Sequence, residues 1–360
     1  MTNRTSRRLP TSVHANDSSE LWNPGRQRPG FRSFGGLGAL VLAMALATPG
    51  CVSLDILSLG PDGPPQQSVV QGEAGPKILL LEIDGVISNA DAPSFFGGSS
   101  MGTVARVRNV LDLARRDPEI KGVLLRIDSP GGTATASEQV YTEILRFKKE
   151  KSVPVVAQLL TTAASGGYYI AMAADEVQAH PTTVVGSIGV IFTSLNFAGL
   201  MEKLGVEDQT ITGGEFKDIG SPFRPLTEEE RAQLQSIVDD LHARFREVVD
   251  RGRPNLDTVE VAALANGRIY SARQALENGL VDRVGAMGDA VGLLSDRIGA
   301  PKVRVVAYHK PNTPRSNFYM QAPAVAAPSI DPESMGPALA PLLGRPGFHY
   351  LWWPGLSGLR

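Results

Sequence analysis

The 360-residue chain has a single cysteine, Cys51, so no disulfide can form within it and no cysteine-rich metal site is available. Histidine is almost as scarce: His14, His180, His242, His309 and His349 are scattered, with no spacing that would place two imidazoles on one metal ion. No cofactor or metal is therefore expected. A large excess of charge of either sign is also missing. The formal net charge is -2, so no basic field argues for nucleic acid as a partner. Only one uncharged apolar stretch of any length occurs, Phe34 to Gly50, and its seventeen residues fall short of the roughly 20 that a permanent span needs. With 42% hydrophobic and 20% charged residues, the remainder has the composition of a globular protein with a sizeable core.

The ends differ from the middle. Ahead of the apolar stretch, six arginines stand against Asp17 and Glu20. A basic flank, a short apolar run and then small residues form the order of a bacterial export signal. Cys51 follows directly, in Ala47-Thr48-Pro49-Gly50-Cys51, which looks like a lipobox in which the cysteine becomes a lipidated amino terminus. Thr48 and Pro49 depart from that pattern, and an uncleaved signal anchor is the alternative. Either would hold the remaining chain at a membrane. Residues 1–51 are thus read as the export or anchor segment. Residues 52–76, rich in Gly, Pro, Ser and Gln, are read as a linker. Residues 308–360 form a Pro- and Ala-rich tail that carries Trp352 and Trp353 near its end, suited either to packing on the protein or to lipid headgroups.

Between them, residues 77–307 alternate strand and helix patterns. Apolar runs at 77–87, 122–128 and 153–160 predict buried strands. Val104, Val107, Leu111 and Ala114, then Val140, Ile144 and Phe147, recur at helical spacing. Thr227 and Glu230 form a capping box ahead of Leu234, Ile237, Val238, Leu241, Phe245 and Val248, predicting a long helix that Gly252 and Pro254 end. Shorter helices are expected at 271–278 and 289–298, and a last strand at 303–308. The pattern predicts an α/β domain with βαβ units and a mainly parallel sheet.

Three segments carry chemistry. Asp128-Ser129-Pro130-Gly131-Gly132 ends a strand; it is either a plain turn or a place where backbone N–H groups face a developing oxyanion. In Thr161–Tyr169 (TTAASGGYY), Ser165 stands at a strand-to-helix turn, either as a tightly packed helix start or as an exposed nucleophile with the Gly166 N–H beside it. In Gly213–Pro225 (GGEFKDIGSPFRP), Lys217 is either a solvated loop lysine or a general base, and a base must be neutral, which takes burial. A serine nucleophile with a lysine base is an accepted alternative to the Ser-His-Asp triad. His180 and His242 suit structural positions better than catalytic ones.

Taken in order, DSPGG at 128–132, ASGGYYIA at 164–171, GSIGVI at 186–191, GEFKDIGSPFRPLTEEER at 214–231 and GRIYSARQALENGLVD at 267–282 resemble the signal peptide peptidase A family, the S49 serine peptidases, in its short single-unit form. The resemblance implies a ClpP/crotonase-like α/β fold, Ser165 as nucleophile, Lys217 as general base, and backbone N–H groups at Gly132 and Gly166 as oxyanion donors. It also implies a homo-oligomeric ring with the dyad shared between adjacent subunits. The implied substrates are signal-peptide remnants and other extended apolar peptides, met in the cell envelope outside the cytoplasm. Apart from the resemblance, polarity and nearness in sequence point to Ser221 or Thr193 as the residue that orients the lysine. Two rival readings remain: a crotonase-type acyl-CoA hydratase or isomerase, which needs a catalytic carboxylate, and a non-catalytic membrane-tethered scaffold, which needs neither Ser165 nor Lys217.

Overall fold

Three strands that are buried on both faces organise the chain. In the computed structural model, which describes residues 65–93, 99–311, 315–320 and 347–352, the elements in chain order are β1 (Gln66–Gln71), β2 (Lys77–Asp84), the short pair β3 (Ala92–Pro93) and β4 (Ser99–Ser100), α1 (Thr103–Arg116), β5 (Ile120–Ser129), β6 (Gly131–Thr133), α2 (Ala134–Lys151), β7 (Val155–Ala164) and α3 (Gly166–Ala171). There follow β8 (Glu176–Ala179), β9 (Val184–Gly186), β10 (Ile191–Thr193), α4 (Ala198–Leu204), α5 (Glu228–Gly252), α6 (Thr258–Leu264), β11 (Ile269–Ser271), α7 (Ala272–Glu277), β12 (Arg283–Val284), α8 (Met287–Ile298), β13 (Arg304–His309) and β14 (Gly347–Leu351). The main sheet runs β1-β13-β2-β5-β7-β8-β12, with β9 also on β7 and β11 on β9. Every pairing along it is parallel except β1 with β13 and β11 with β9. This is the α/β class that the alternating patterns predict, and its βαβ units and mainly parallel sheet match the ClpP/crotonase-like expectation.

Side chains of a strand point alternately to its two faces. Leu79, Leu81 and Ile83 of β2, with Val123, Leu125 and Ile127 of β5, face α1 and α2 through Val107, Leu111, Val140, Ile144 and Phe147. Ile78, Leu80, Leu124 and Val156 point the other way, onto Met287, Ala290, Val291 and Leu294 of α8. Both faces are covered, so these strands read as continuous apolar runs and not as alternating ones.

The second face changes character toward the carboxyl ends of the strands. There Arg126 is fully buried, its guanidinium 3.0 Å from Glu82 and 2.7 Å from Asp84 on β2. The same group donates to the Phe318 carbonyl at 2.6 Å, and Arg315 reaches Glu82 at 2.7 Å. Segment 315–320 is thereby tied across the sheet. Burial outweighs these cations for Glu82 and lifts its carboxyl above the ordinary value.

Two strands lie outside the stretch 77–307 read as the folded domain, the second of them in the tail that the sequence reading allowed to pack on the protein. Residues 66–71, inside the stretch read as linker, form an edge strand antiparallel to β13. In the tail, Gly347–Leu351 forms a strand between β6 and β10 in a second, three-stranded sheet. Both pair with residues far away in sequence; β1 is mostly exposed, whereas β14 also buries His349, Tyr350 and Leu351. The apolar run before Cys51, and Cys51 itself, lie outside the described residues.

Removing the central cation tests the ionic cluster. Arg126→Ala leaves Glu82 and Asp84 short of their shared buried partner and is expected to lower unfolding stability by about 3–5 kcal/mol. Urea unfolding at neutral pH measures the loss, and a change within experimental error would show the cluster to be energetically neutral.

Candidate active site

The parallel strands β5 and β7 lie side by side and end close together, and each is followed at once by a glycine-containing turn. Ser165 is the first residue beyond β7 and the N-cap of α3, with φ 51° and ψ -116°. For a non-glycine residue this conformation costs about 1–3 kcal/mol, and it persists only where the surroundings impose it. Here its N–H donates to the Gly186 carbonyl at 2.7 Å and its carbonyl accepts from the Tyr169 N–H at 2.8 Å. Strand and helix are fixed on either side, so the residue between them turns sharply. Its hydroxyl has no hydrogen-bond partner among the described residues, although Ser165 is only 1% exposed. It is therefore a short, buried, unengaged side chain on a strained turn.

Three glycines face it, and backbone crowding explains each. A Cβ on Gly132 would stand 1.9 Å from the Ile87 carbonyl oxygen. One on Gly131, whose φ is +103°, would stand 2.0 Å from the Tyr350 carbonyl oxygen and 2.7 Å from the Gly166 nitrogen. One on Gly166 would meet Ser137 Oγ at 2.4 Å and the Tyr350 oxygen at 3.1 Å. No side chain fits where these backbones approach.

The direction of the Gly132 N–H follows from the ladder. Ile87 takes up the Gly131 carbonyl at 2.9 Å and the Thr133 N–H at 3.0 Å on one side of β6, so the Gly132 groups point to the other. On that side β14 runs antiparallel, with Tyr350 opposite Gly132 and Leu351 opposite Gly131. Beyond them, the Trp352 N–H donates to the Pro130 carbonyl at 2.8 Å. Hydrogen-bonded pairs alternate in an antiparallel ladder, so two residues back Gly132 and Tyr350 form such a pair. The Gly132 N–H is thus aimed at a peptide carbonyl that also lies against Gly131 and Gly166.

Lys217 sits elsewhere. It is exposed, in a loop between α4 and α5, and its side chain has no partner among the described residues. No hydrogen bond joins it to Ser165, Thr193 or Ser221; the Ser221 hydroxyl instead accepts from the Phe223 N–H at 3.3 Å. Its neighbours Phe216 and Ile219 line a cavity of about 560 Å³ together with Phe192, Leu234, Ile237 and Phe348. Leu234 and Ile237 of the apolar stripe of α5 line this cavity, Ile237 only half-buried, whereas Phe245 and Val248 enter the core. The loop is clamped by Arg224, which binds Asp218 at 2.7 Å and 2.8 Å and also grips Glu230 in the first turn of α5. The capping box of Thr227 and Glu230 forms as the sequence predicts. His242 bonds the Ala265 carbonyl at 2.8 Å and His180 the Thr182 hydroxyl at 2.9 Å, both structural contacts.

The structure therefore brings Ser165, Gly132 and Gly166 together and leaves Lys217 on an exposed loop. The sequence reading had not singled out Glu138, Tyr169, Arg244 or Tyr350. Glu138 of α2 takes Arg244 of α5 at 2.9 Å and 3.1 Å and the Tyr169 hydroxyl. Burial works against the Glu138 carboxylate, yet hydrogen bonds from Arg244 and Tyr169 hold it below its ordinary range. Tyr169 is pushed well up, by burial first and by that carboxylate second. The only signal in the sequence was two tyrosines beside the ASGG motif.

The clamp has a pH signature. Hydrogen bonds from Arg224 hold the Asp218 and Glu230 carboxyls below 3.8 and 4.5, their ordinary values. A depressed carboxyl contributes stability above its unfolded pKa and loses it as the pH falls through the folded one. Arg224→Ala is therefore expected to lower Tm above about pH 4.5. The gap to wild type should close in more acidic buffer, as scanning calorimetry across pH 3–7 would record.

Comparison with known proteins gives the family. The sequence model of peptidase family S49 matches residues 147–300. A protein of Enterococcus faecium described as “Putative signal peptide peptidase SppA” is 38% identical over 248 residues, covering 69% of this chain and 71% of the relative. “Putative protease slr0021” of Synechocystis is 38% identical over 214 residues, 59% of this chain and 72% of the relative. “Protease 4” of Haemophilus influenzae is 34% identical over 215 residues, which are 60% of this chain and 34% of that longer protein. On the strength of these matches, the chain belongs to peptidase family S49 and is a serine-type endopeptidase.

Proposed function

We propose that this endopeptidase uses a Ser165–Lys217 dyad to hydrolyse extended apolar peptides, signal-peptide remnants among them, at a membrane surface of the cell envelope. The observation that carries the reading is the turn at Ser165, where a strained serine precedes Gly166, and a peptide carbonyl paired with Gly132 lies against Gly131 and Gly166. In this mechanism neutral Lys217 takes the Ser165 hydroxyl proton as Oγ attacks the peptide carbonyl carbon. The N–H groups of Gly132 and Gly166 stabilise the oxyanion, and the lysine ammonium then protonates the leaving amine. Water repeats the sequence to release the acyl group.

Within its own subunit Lys217 is exposed and its side chain has no partner among the described residues, so the loop gives it no burial there. Phe197, Leu200, Leu204, Phe216 and Phe223 around the same loop are all exposed, a concentration of apolar surface suited to a second copy of the chain. Both facts support a ring in which the lysine loop of one subunit docks against the serine of the next, gaining its burial there. The export-type segment ahead of residue 52, with Cys51 as lipidation point or the apolar run as anchor, supports placement at the membrane. Among the described residues no helix is long and apolar enough to span one.

The test is cleavage of a synthetic signal peptide by the full-length chain. Lys217→Ala and Lys217→Arg should each lose about 10²–10⁴-fold in kcat, and Ser165→Ala at least as much. Mixing Ser165→Ala with Lys217→Ala subunits should restore up to roughly a quarter of wild-type activity, since one in four neighbouring pairs then carries both groups across a head-to-tail interface. Full activity of Lys217→Arg would refute the base assignment. Absence of any complementation would refute the shared dyad.

A further inference from the structure

We propose that Asp128 is a positioning residue for the hydrolysis: its carboxylate pins a bulge in β7, and that bulge sets where Ser165 stands against the Gly131–Gly132 turn. The inference rests on Ser165 being the nucleophile, as proposed above, and adds the side chain that fixes the nucleophile's place.

β5 and β7 run in step from Val123 opposite Val155 to Ile127 opposite Leu159. Beyond that point the register jumps. The next pair is Ser129 opposite Ala163, which is two steps along β5 but four along β7. The surplus residues of β7 bulge opposite Asp128. At the same place β7 changes its other neighbour, since Leu159 is the last residue against β8 and Thr162 the first against β9. The turn from β8 to β9 closes around the Leu159 carbonyl, which accepts from the His180 N–H at 2.9 Å and from the Thr183 hydroxyl at 3.1 Å. A bulge leaves backbone groups outside the ladder, and each of those needs a partner from elsewhere.

Asp128 supplies one. Its carboxylate accepts from the Thr162 N–H at 3.1 Å, a charge-assisted bond across the bulge. The main chain of Asp128 is itself held, because its carbonyl accepts from the Gly85 N–H at 2.9 Å and Asp84 stands opposite it on β2. Residues 162–164 then run against β9 and Ser165 follows at once, so a shift at the bulge is passed straight to the nucleophile. No hydrogen bond joins Asp128 to Ser165, and its hold runs through the backbone. The facing half of the site is fixed separately. Ser129, fully buried, donates to the Gly85 carbonyl at 2.6 Å and accepts from the Gly131 N–H at 3.1 Å. Ser129 thus locks the glycine turn to β2, and Asp128 locks the serine strand to the glycine turn. Burial lifts the Asp128 carboxyl above its ordinary value, against the bonds it accepts from Thr162 and Thr161. A neutral amide of the same length is therefore a close substitute.

Two conservative variants separate position from charge. Asp128→Asn keeps an acceptor oxygen at the same reach and drops the charge, whereas Asp128→Glu keeps the charge and moves the oxygen by one methylene. The full-length proteins are assayed on a synthetic signal peptide for kcat and KM, beside Asp128→Ala and Ser165→Ala. A fluorophosphonate probe reports the reactivity of Ser165 without any peptide, and Tm is read in parallel. Asp128→Asn is expected to stay within about threefold of wild type in kcat. Asp128→Glu and Asp128→Ala should lose about 10–100-fold in kcat with KM changed less than about threefold, because the attacking atom is displaced and the peptide's own contacts are not. Probe labelling should slow with kcat. A lower Tm with unchanged kcat would reduce the residue to a structural role and overturn the proposal. A kcat loss in Asp128→Asn as large as that in Asp128→Glu would overturn it as well, and this comparison stands even where Asp128→Ala does not fold. If Ser165 proves necessary while every Asp128 variant matches wild type, this inference alone falls. If Ser165→Ala keeps wild-type activity, the nucleophile assignment fails and takes this inference with it.

Discussion

Backbone approaching backbone more closely than any side chain permits is the constraint on which the site depends. Gly131, Gly132 and Gly166 each lack room for a Cβ, and the atoms that would collide are mostly main-chain oxygens of Ile87 and Tyr350, which cannot swing aside. The contact brings the turn after β5 against the turn after β7. It also fixes the direction of the Gly132 N–H and confines Ser165 to a conformation that ordinary residues avoid. The strain at Ser165 is small beside the burial that surrounds it, which is why the turn holds.

The elements that deliver this contact were legible for definite reasons. β2, β5 and β7 show as unbroken apolar runs because α1 and α2 cover one face and α8 the other. The start of α5 shows because a capping box is a local pattern, satisfied by Thr227 and Glu230 within four residues. What stayed hidden depends on distant partners. Arg126 in the run GVLLRID gives no sign that Glu82 and Asp84 neutralise it from the neighbouring strand. The stripe on α5 reads as one face, but its amino-terminal half borders a cavity.

The candidate site divides in the same way. Ser165, Gly132 and Gly166 are announced by glycine-rich turns at strand ends, so their meeting follows from the parallel order of β5 and β7. Lys217 is announced only by the family motif, and within one subunit its loop stays exposed, anchored by Arg224 to Asp218 and Glu230. The tail strand could not be foreseen. Gly347–Leu351 pairs with residues more than 150 positions earlier on one side and more than 200 earlier on the other, and its sequence carries no strand signal beyond the alternation of Phe348 and Tyr350.

A polypeptide that took the place of β14 between β6 and β10 would have to be extended, because every hydrogen bond that holds it must come from a backbone with no other partner. A helix has already spent those groups, and a folded sheet offers them only at its edges. Attack on an intact protein would therefore have to wait for several consecutive residues to come free, and its rate would follow the free energy of that local opening. The filter is thermodynamic in origin: two proteins with identical sequences around the cut would differ in lifetime according to how firmly each holds that stretch in place.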